Sequence, residues 1–382
     1  MSKLLGMSIA LLLGVPVWVA GQQAPAPGGA DTAPQQGEVV QTPGQQTPEG
    51  AHRAVAEPPT IGMSGEGRGS LLLNVEVTDK SGTPVAGLSQ QEFTLLDNGQ
   101  PRPILSFHAY TGAVHPGGPP VETIILMDLL NMDVTRAGQA RVAIDKYLRQ
   151  NGGHLAGPTS VFFFTEDGIQ GQMQPTMDGN ALADNMLQLA TRNRSMFRTG
   201  GKWDELERVN VSLNALGAIV VNQRKRPGRK LLIWVGPGWP LENGRNRLVS
   251  LKDMQNDFTV IINTSRLLRE EQITMYSVSI GQPDEFNSLY NGFLKGVKTF
   301  KGASASALNT KVFAVQSGGL VVGPDQDLAR QIGICQQDAS AYYTITFAPP
   351  PADKRDEYHQ IEVATDKPFL KARTATGYYD EP

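Results

Sequence analysis

Cysteine is almost missing from this chain. Cys335 is the only one among 382 residues, so no internal disulfide can form and the cores must hold by packing alone. An excess of one charge is missing too. Lys and Arg number 34 against 37 Asp and Glu, a net of −3, which excludes the basic footprint of a nucleic-acid binder. Signatures of catalysis are also missing. There is no Gly-x-Ser-x-Gly elbow for a serine hydrolase and no Gly-x-x-x-x-Gly-Lys-Ser/Thr loop for a nucleotide. Gly236-Pro-Gly238 is a turn too short and too proline-bound to cradle phosphate. His52, His108, His115, His154 and His359 are scattered, without the His-x-x-x-His spacing of a zinc site.

What is present begins with Met1-Ser-Lys3 and an apolar run from Leu4 to Ala20, ending in small residues. This is the pattern of a secretory signal peptide, with the expected cut after Gly21. No second long apolar stretch follows, so no transmembrane segment is expected after cleavage. The expected location is therefore exported: periplasmic, cell-surface or secreted. Residues 22–69 are rich in Gln, Pro and Gly and poor in large apolar side chains, which reads as a disordered linker.

From Ser70 the periodicity turns regular. Leu73, Val75 and Val77 alternate on one face of a strand, Phe93–Leu96 and Ile104–Tyr110 follow, and Asp97-Asn-Gly99 marks a hairpin. This N-terminal β-module, 70–111, is too small to stand comfortably alone. Beyond a Gly/Pro linker at 112–120, strands alternate with helices. The predicted strands are Thr123–Met127, Ser160–Thr165, Ile169–Met173, Lys230–Val235, Ile273–Ile280 and Gly319–Val322. The predicted helices cover 135–150, 179–190, 203–222 and 250–271, with a further one around Ala329–Cys335. Such alternation implies a doubly wound, mostly parallel α/β sheet over 121–338. Three more strands are predicted in 339–382, at Tyr342–Phe347, Tyr358–Ala364 and Phe369–Arg373. The economical arrangement pairs these with the N-terminal module in one small antiparallel β-sandwich, the α/β domain being inserted between them; the alternative extends the edge of the α/β sheet.

Several stretches carry a resemblance. They are Val77–Phe93 with Asp97-Asn-Gly-Gln100, the strand end Ile125-Leu-Met-Asp-Leu-Leu-Asn131, Arg229–Pro240, Gln316-Ser-Gly-Gly319, Tyr342-Tyr343 and Gly377-Tyr-Tyr379. In this order, over roughly 70–380, the chain resembles the bacterial von Willebrand factor A-related domain proteins of the acidobacterial type. The resemblance implies an exported protein with a von Willebrand type A (Rossmann-like) fold and flanking β-strands. It supplies no biochemical role.

Metal-binding relatives hold a divalent cation with Asp-x-Ser-x-Ser at this strand end, a Thr from a later loop and an Asp after the fourth strand. Here Asp128 remains, but Leu130 and Met132 stand at the serine positions and Pro237 at the second aspartate. Thr199 could replace the loop threonine. Mg²⁺ needs a near-octahedral set of oxygens, so no cofactor is expected. The alternative is Mg²⁺ or Ca²⁺ at a rearranged site using Asp128, Asn131 and Asp133. The plain role for Asp128 is an acid at a helix N-terminus, facing the helix dipole.

Trp239 follows the carboxyl end of a central strand, the edge where open α/β sheets bind ligands. It reads either as an anchor for a protein partner or as packing against the next loop. Cys335 reads as a small buried hydrophobe, and Arg224-Lys-Arg226 with Arg229-Lys230 as a solvated basic loop. The expected function is a non-enzymatic protein-interaction module of the cell envelope. It would use Asp128, Asn131 and Trp239 on a face formed by 128–134, 191–203 and 236–247, with 281–310 as a further contributor. A metal-dependent adhesion domain and an envelope enzyme are the alternatives.

Overall fold

The computed structural model describes residues 69–380, except 117, 173, 193–204, 240–249, 281–289 and 324–326. The leader and nearly all of the 22–69 segment fall outside the described residues.

Two four-stranded antiparallel sheets are built from both ends of the chain. From the N-terminal side come β1 (Leu71–Thr78), β2 (Phe93–Asp97), β3 (Gln100–Arg102) and β4 (Ser106–Thr111). From the C-terminal side come β12 (Ala341–Phe347), β13 (Glu357–Thr365), β14 (Lys371–Arg373) and β15 (Gly377–Asp380). One sheet runs β14-β1-β12-β4 and the other β15-β13-β2-β3. Registers such as Leu73 opposite Ile345 and Leu95 opposite Val363 put the period-2 apolar residues inward. Leu73, Val75, Leu95, Phe347 and Tyr378 then share one core. The hairpin between β2 and β3 turns at Asn98 and Gly99, both at positive φ (50° and 77°), as a two-residue turn between twisted strands requires.

Between β4 and β12 lies the α/β layer. Its strands are β5 (Glu122–Asp128), β6 (His154–Thr165), β7 (Gly168–Gly171), β8 (Thr176–Asp178), β9 (Lys230–Val235), β10 (Ile273–Val278) and β11 (Val321–Val322). The order is β11-β10-β9-β5-β6-β7, parallel throughout except for the antiparallel β6–β7 edge, and β8 pairs with β6. This is a von Willebrand type A sheet. Both faces are covered, so its strands are apolar on both sides. Ile125, Met127, Ile233 and Val235 pack under α1 (Val134–Leu148), α2 (Gly179–Arg192) and α6 (Leu328–Gln337). Ile124, Leu126, Leu232 and Trp234 pack under α3 (Glu205–Gln223), α4 (Leu251–Glu270) and α5 (Thr310–Gln316).

Several boundaries and elements differ from the sequence reading. β6 begins at His154 rather than Ser160, because its first residues pair with β8. β11 starts at Val321 instead of Gly319, since Gly319 lies so close over β10 that a Cβ there would sit 1.8 Å from the Met275 carbonyl. β14 starts at Lys371 because Leu370 closes a turn onto Lys367 O. Gly377–Asp380 is a fourth C-terminal strand, and α5 is a helix too short to leave a clear period.

A buried ionic cluster joins the sandwich to the α/β layer. Arg229, just before β9, donates to Glu76 of β1 and, through Nη1, to the Asp338 carbonyl at 3.1 Å. Its guanidinium lies 4.7 Å over the Tyr342 ring. Arg373 of β14 pairs with the Asp338 carboxylate and reaches Glu76 Oε2 at 3.7 Å, and Tyr276 OH donates to Asp338 Oδ2 at 2.6 Å. Burial pulls the Arg373 guanidinium down, but Glu76 and Asp338 outweigh it and hold it above the usual arginine range.

Candidate functional site

β5 delivers Asp128 to the carboxyl edge of the sheet, completely buried. The chain then crosses the top of the strands. Leu129 N and Leu130 N both donate to Phe164 O, at 2.9 and 3.1 Å. This crossing sends alternate side chains to opposite cores: Leu130 joins the α3–α4 side and Met132 the α1–α2 side. The positions that would carry serine oxygens around a cation therefore carry core packing.

The Asp128 carboxylate is met by nitrogen. Oδ1 accepts from Asn131 N and Asn131 Nδ2, both at 3.1 Å. Oδ2 accepts from Asn131 Nδ2 and from the Trp234 indole Nε1, both at 2.9 Å. Asn131 Nδ2 also reaches Ser212 Oγ of α3 at 3.2 Å, which fixes the amide between two elements. The amide nitrogen, not the amide oxygen, must face Asp128, because two oxygens there would repel. Behind the carboxylate stands Gly236, where a Cβ would lie 2.9 Å from Asp128 Cβ. Burial lifts the Asp128 carboxyl to about 6, against the pull of the Asn131 and Trp234 donors.

These residues do not fit a hard divalent cation. Such an ion needs lone pairs converging on it, and here N–H groups point into the carboxylate from the described sides. Asp133 does not join the corner. Its half-exposed side chain caps α1, accepting from Arg136 N at 2.8 Å. The helix-terminal role read for Asp128 therefore belongs to Asp133, because the helix begins five residues later than the strand-end acid would need. Thr199 lies outside the described residues. Among the described residues no group of three His, Cys, Asp or Glu is placed to hold a metal ion.

Trp239 is only 3% exposed. It stacks edge-on against Trp234 with centroids 5.4 Å apart, and lies 6.0 Å from the Phe313 ring. It is core, not an exposed anchor, because Gly238 at positive φ (89°) turns the chain back over α5. The fully buried Asp128 side chain is likewise closed to a partner, and of the three proposed contact residues only Asn131 keeps partial exposure. Exposed at the described edge are Asp133 and Val134, the latter 59% exposed, together with Thr135 and with Glu166 and Asp167 in the turn after β6.

The basic run is not a free patch. Arg224 pairs with Glu271, Arg226 with Glu122 and Arg229 with Glu76, while Lys230 donates to Glu271 O at 3.1 Å. The described part of the 281–310 loop, from Tyr290 on, buries Tyr290, Val297, Ala303 and Ala307. Cys335 is buried, which raises its thiol far above the reactive range. Sequence reasoning missed Trp234 and Ser212 as partners of the corner. The only signal is a tryptophan inside the apolar run of β9; Ser212 is one of several polar residues of α3 and carries none.

No family model matches the chain, and no curated protein matches it. Among solved structures it is similar to the human COPII-coat protein Sec24c, at 9% identity and TM-score 0.35, over 72% of this chain and 46% of that one. It is also similar to the TFIIH p34 N-terminal domain, at 9% identity and TM-score 0.33, over 57% and 97%. A third is the pilus adhesin SpaC from Lactobacillus rhamnosus GG, at 9% identity and TM-score 0.31, over 80% and 48%. The chain spans about half the length of Sec24c and of SpaC. The strand order itself defines the fold. No helix of the described residues is long and apolar enough to cross a membrane.

Proposed function

We propose that this chain is an exported, non-enzymatic protein-interaction module of the cell envelope, of the bacterial von Willebrand factor A-related kind. Its type A domain works without a cation at the strand-end corner. One observation carries the reading. Both oxygens of Asp128 are already satisfied by Asn131 and Trp234, so the corner is complete as a hydrogen-bonded plug without a cation. A metal-dependent adhesion domain would need those same lone pairs for its ion.

Contact with a partner falls to the exposed rim of that edge, the first turn of α1 at Asp133 and Val134. Proximity labelling in intact producing cells tests this, comparing the wild type with Val134→Arg. The expected outcome is loss of a specific labelled protein from the variant. An unchanged labelled set places the contact elsewhere.

A further inference from the structure

Away from the Asp128 corner, a cleft of about 560 Å³ opens beside the turn between β2 and β3. Lys298 and Thr299 line it from one segment, and Lys354 and Glu357 from another, at the entry to β13. Lys295 and Lys301 flank Lys298 along the chain. All four lysines are exposed, and none forms an ion pair among the described residues. The acids nearby do not cancel them. Asp356 lies 3.6 Å from both Arg266 and Arg355. Glu357 Oε2 accepts from Asp353 N at 2.7 Å. Asp353, Glu357 and, further along β13, Glu362 are the acids left against the four lysines, so the rim stays positive. The floor is polar and fixed: Asn98, at positive φ (50°), accepts from Gln360 N at 2.9 Å. The one ring in the lining, Tyr358, is only 8% exposed. Its hydroxyl is held between Lys295 O and Thr376 O, and its ring packs on Tyr379 with centroids 5.2 Å apart.

A positive rim over a polar floor, on a chain whose net charge is −3, calls for an anionic ligand. We propose that this cleft binds an acidic, extended peptide segment of a partner protein. Lys298 and Lys354 take separate carboxylates of the peptide, and Lys295 and Lys301 add to the field that draws it in. The second oxygen of Glu357 accepts a backbone N–H. Three features select the class. Lysine is a compact charge on a flexible stem, suited to carboxylates of variable spacing rather than to one rigid planar group. A sugar polymer would need an open ring face to stack on, and Tyr358 is buried against Tyr379. An anionic lipid surface would be held by an exposed apolar side chain as well as by charge, and the lining has no such side chain. This site is separate from the α1 rim and does not depend on it.

Fluorescence anisotropy of a labelled Glu-Ser repeat peptide, titrated with the full chain, tests the proposal. The comparison ligands are the matching Gln-Ser peptide, heparin, and vesicles containing an anionic phospholipid. The expected result is saturable binding of the Glu-Ser peptide and none of the Gln-Ser peptide. Affinity falls as salt is raised, because exposed charges are screened. Replacing both cleft lysines, Lys298→Glu with Lys354→Glu, weakens binding at least about tenfold. The control pair Lys80→Glu with Lys225→Glu changes the net charge equally at exposed lysines outside the cleft. It weakens binding by less than about twofold, since distant charges are screened. All four positions are on the surface, and thermal unfolding checks that both variants are folded. Equal losses in the two double variants, absence of saturable peptide binding, or heparin or vesicles held more tightly than the peptide by the same two lysines would each overturn the proposal.

Discussion

Asp128 and Glu76 are both carboxylates shut away from solvent, and they are satisfied in opposite ways. Glu76 lies between two guanidiniums, Arg229 and Arg373, with Asp338 completing a charge-balanced cluster. Asp128 has only neutral donors, the Asn131 amide and backbone N–H and the Trp234 indole. Charge compensation lets the first cluster join elements far apart in sequence, at the risk of large damage if one member is lost. Neutral donors leave the second carboxyl easy to protonate. Burial alone lifts it toward neutrality when no cation stands opposite.

The comparison breaks most sharply at Arg229. Arg229→Met strands Glu76 in the interior, and unfolding free energy should fall by about 3–5 kcal/mol, read from urea denaturation. A loss below about 1 kcal/mol would mean that the cluster is not holding the sandwich to the α/β layer.

Asp128 should show itself as pH dependence. Its carboxyl is raised from 3.8 to about 6 in the folded chain. The native state thus holds a proton that the unfolded chain has released, and the associated stability is full below about 3.8 and lost as pH rises through about 6. The shift corresponds to about 3 kcal/mol. Relative to Asp128→Asn, the wild type should gain roughly that much on going from pH 7 to pH 4. Parallel stability curves for the two proteins would contradict the assignment.

Asn131 sharpens the contrast further. Asn131→Ala removes a donor to each oxygen of Asp128 and should cost about 2 kcal/mol at pH 7 by thermal or urea unfolding. Millimolar Mg²⁺ or Ca²⁺ should not restore the loss, and calorimetry on the wild type should show no binding heat. Saturable rescue by either ion would return the corner to cation chemistry. The smallest effect belongs to the rim: Val134→Arg should change stability by less than about 0.5 kcal/mol, so that any loss of partner labelling reports contact rather than folding.

Much of this fold is legible in the sequence because burial leaves a period. β5 and β9 are buried at every position and apolar over Ile124–Met127 and Leu231–Val235, as strands covered on both faces must be, and β1 alternates because its faces differ. The candidate site is legible only in part. The serine positions hold Leu130 and Met132, which announces that the usual oxygens are gone. Nothing in the sequence says that the Asn131 side chain folds back over Asp128, since that depends on how the chain crosses β6. Trp239 reads as an anchor because a large aromatic follows a strand end, and its inward turn depends on the conformation at Gly238. The Glu76–Arg229 pair spans 153 positions, and no local pattern links residues so far apart.

β4 and β12 lie side by side, with Thr111 opposite Ala341, so the polypeptide leaves the sandwich and returns to it at neighbouring points. During synthesis the early strands therefore wait, edges open, while everything from residue 112 to residue 340 is made. Closure comes only with β12 to β15. A nascent chain halted before β12 can assemble neither sheet fully, which makes completion of the sandwich a built-in report that translation has passed β15.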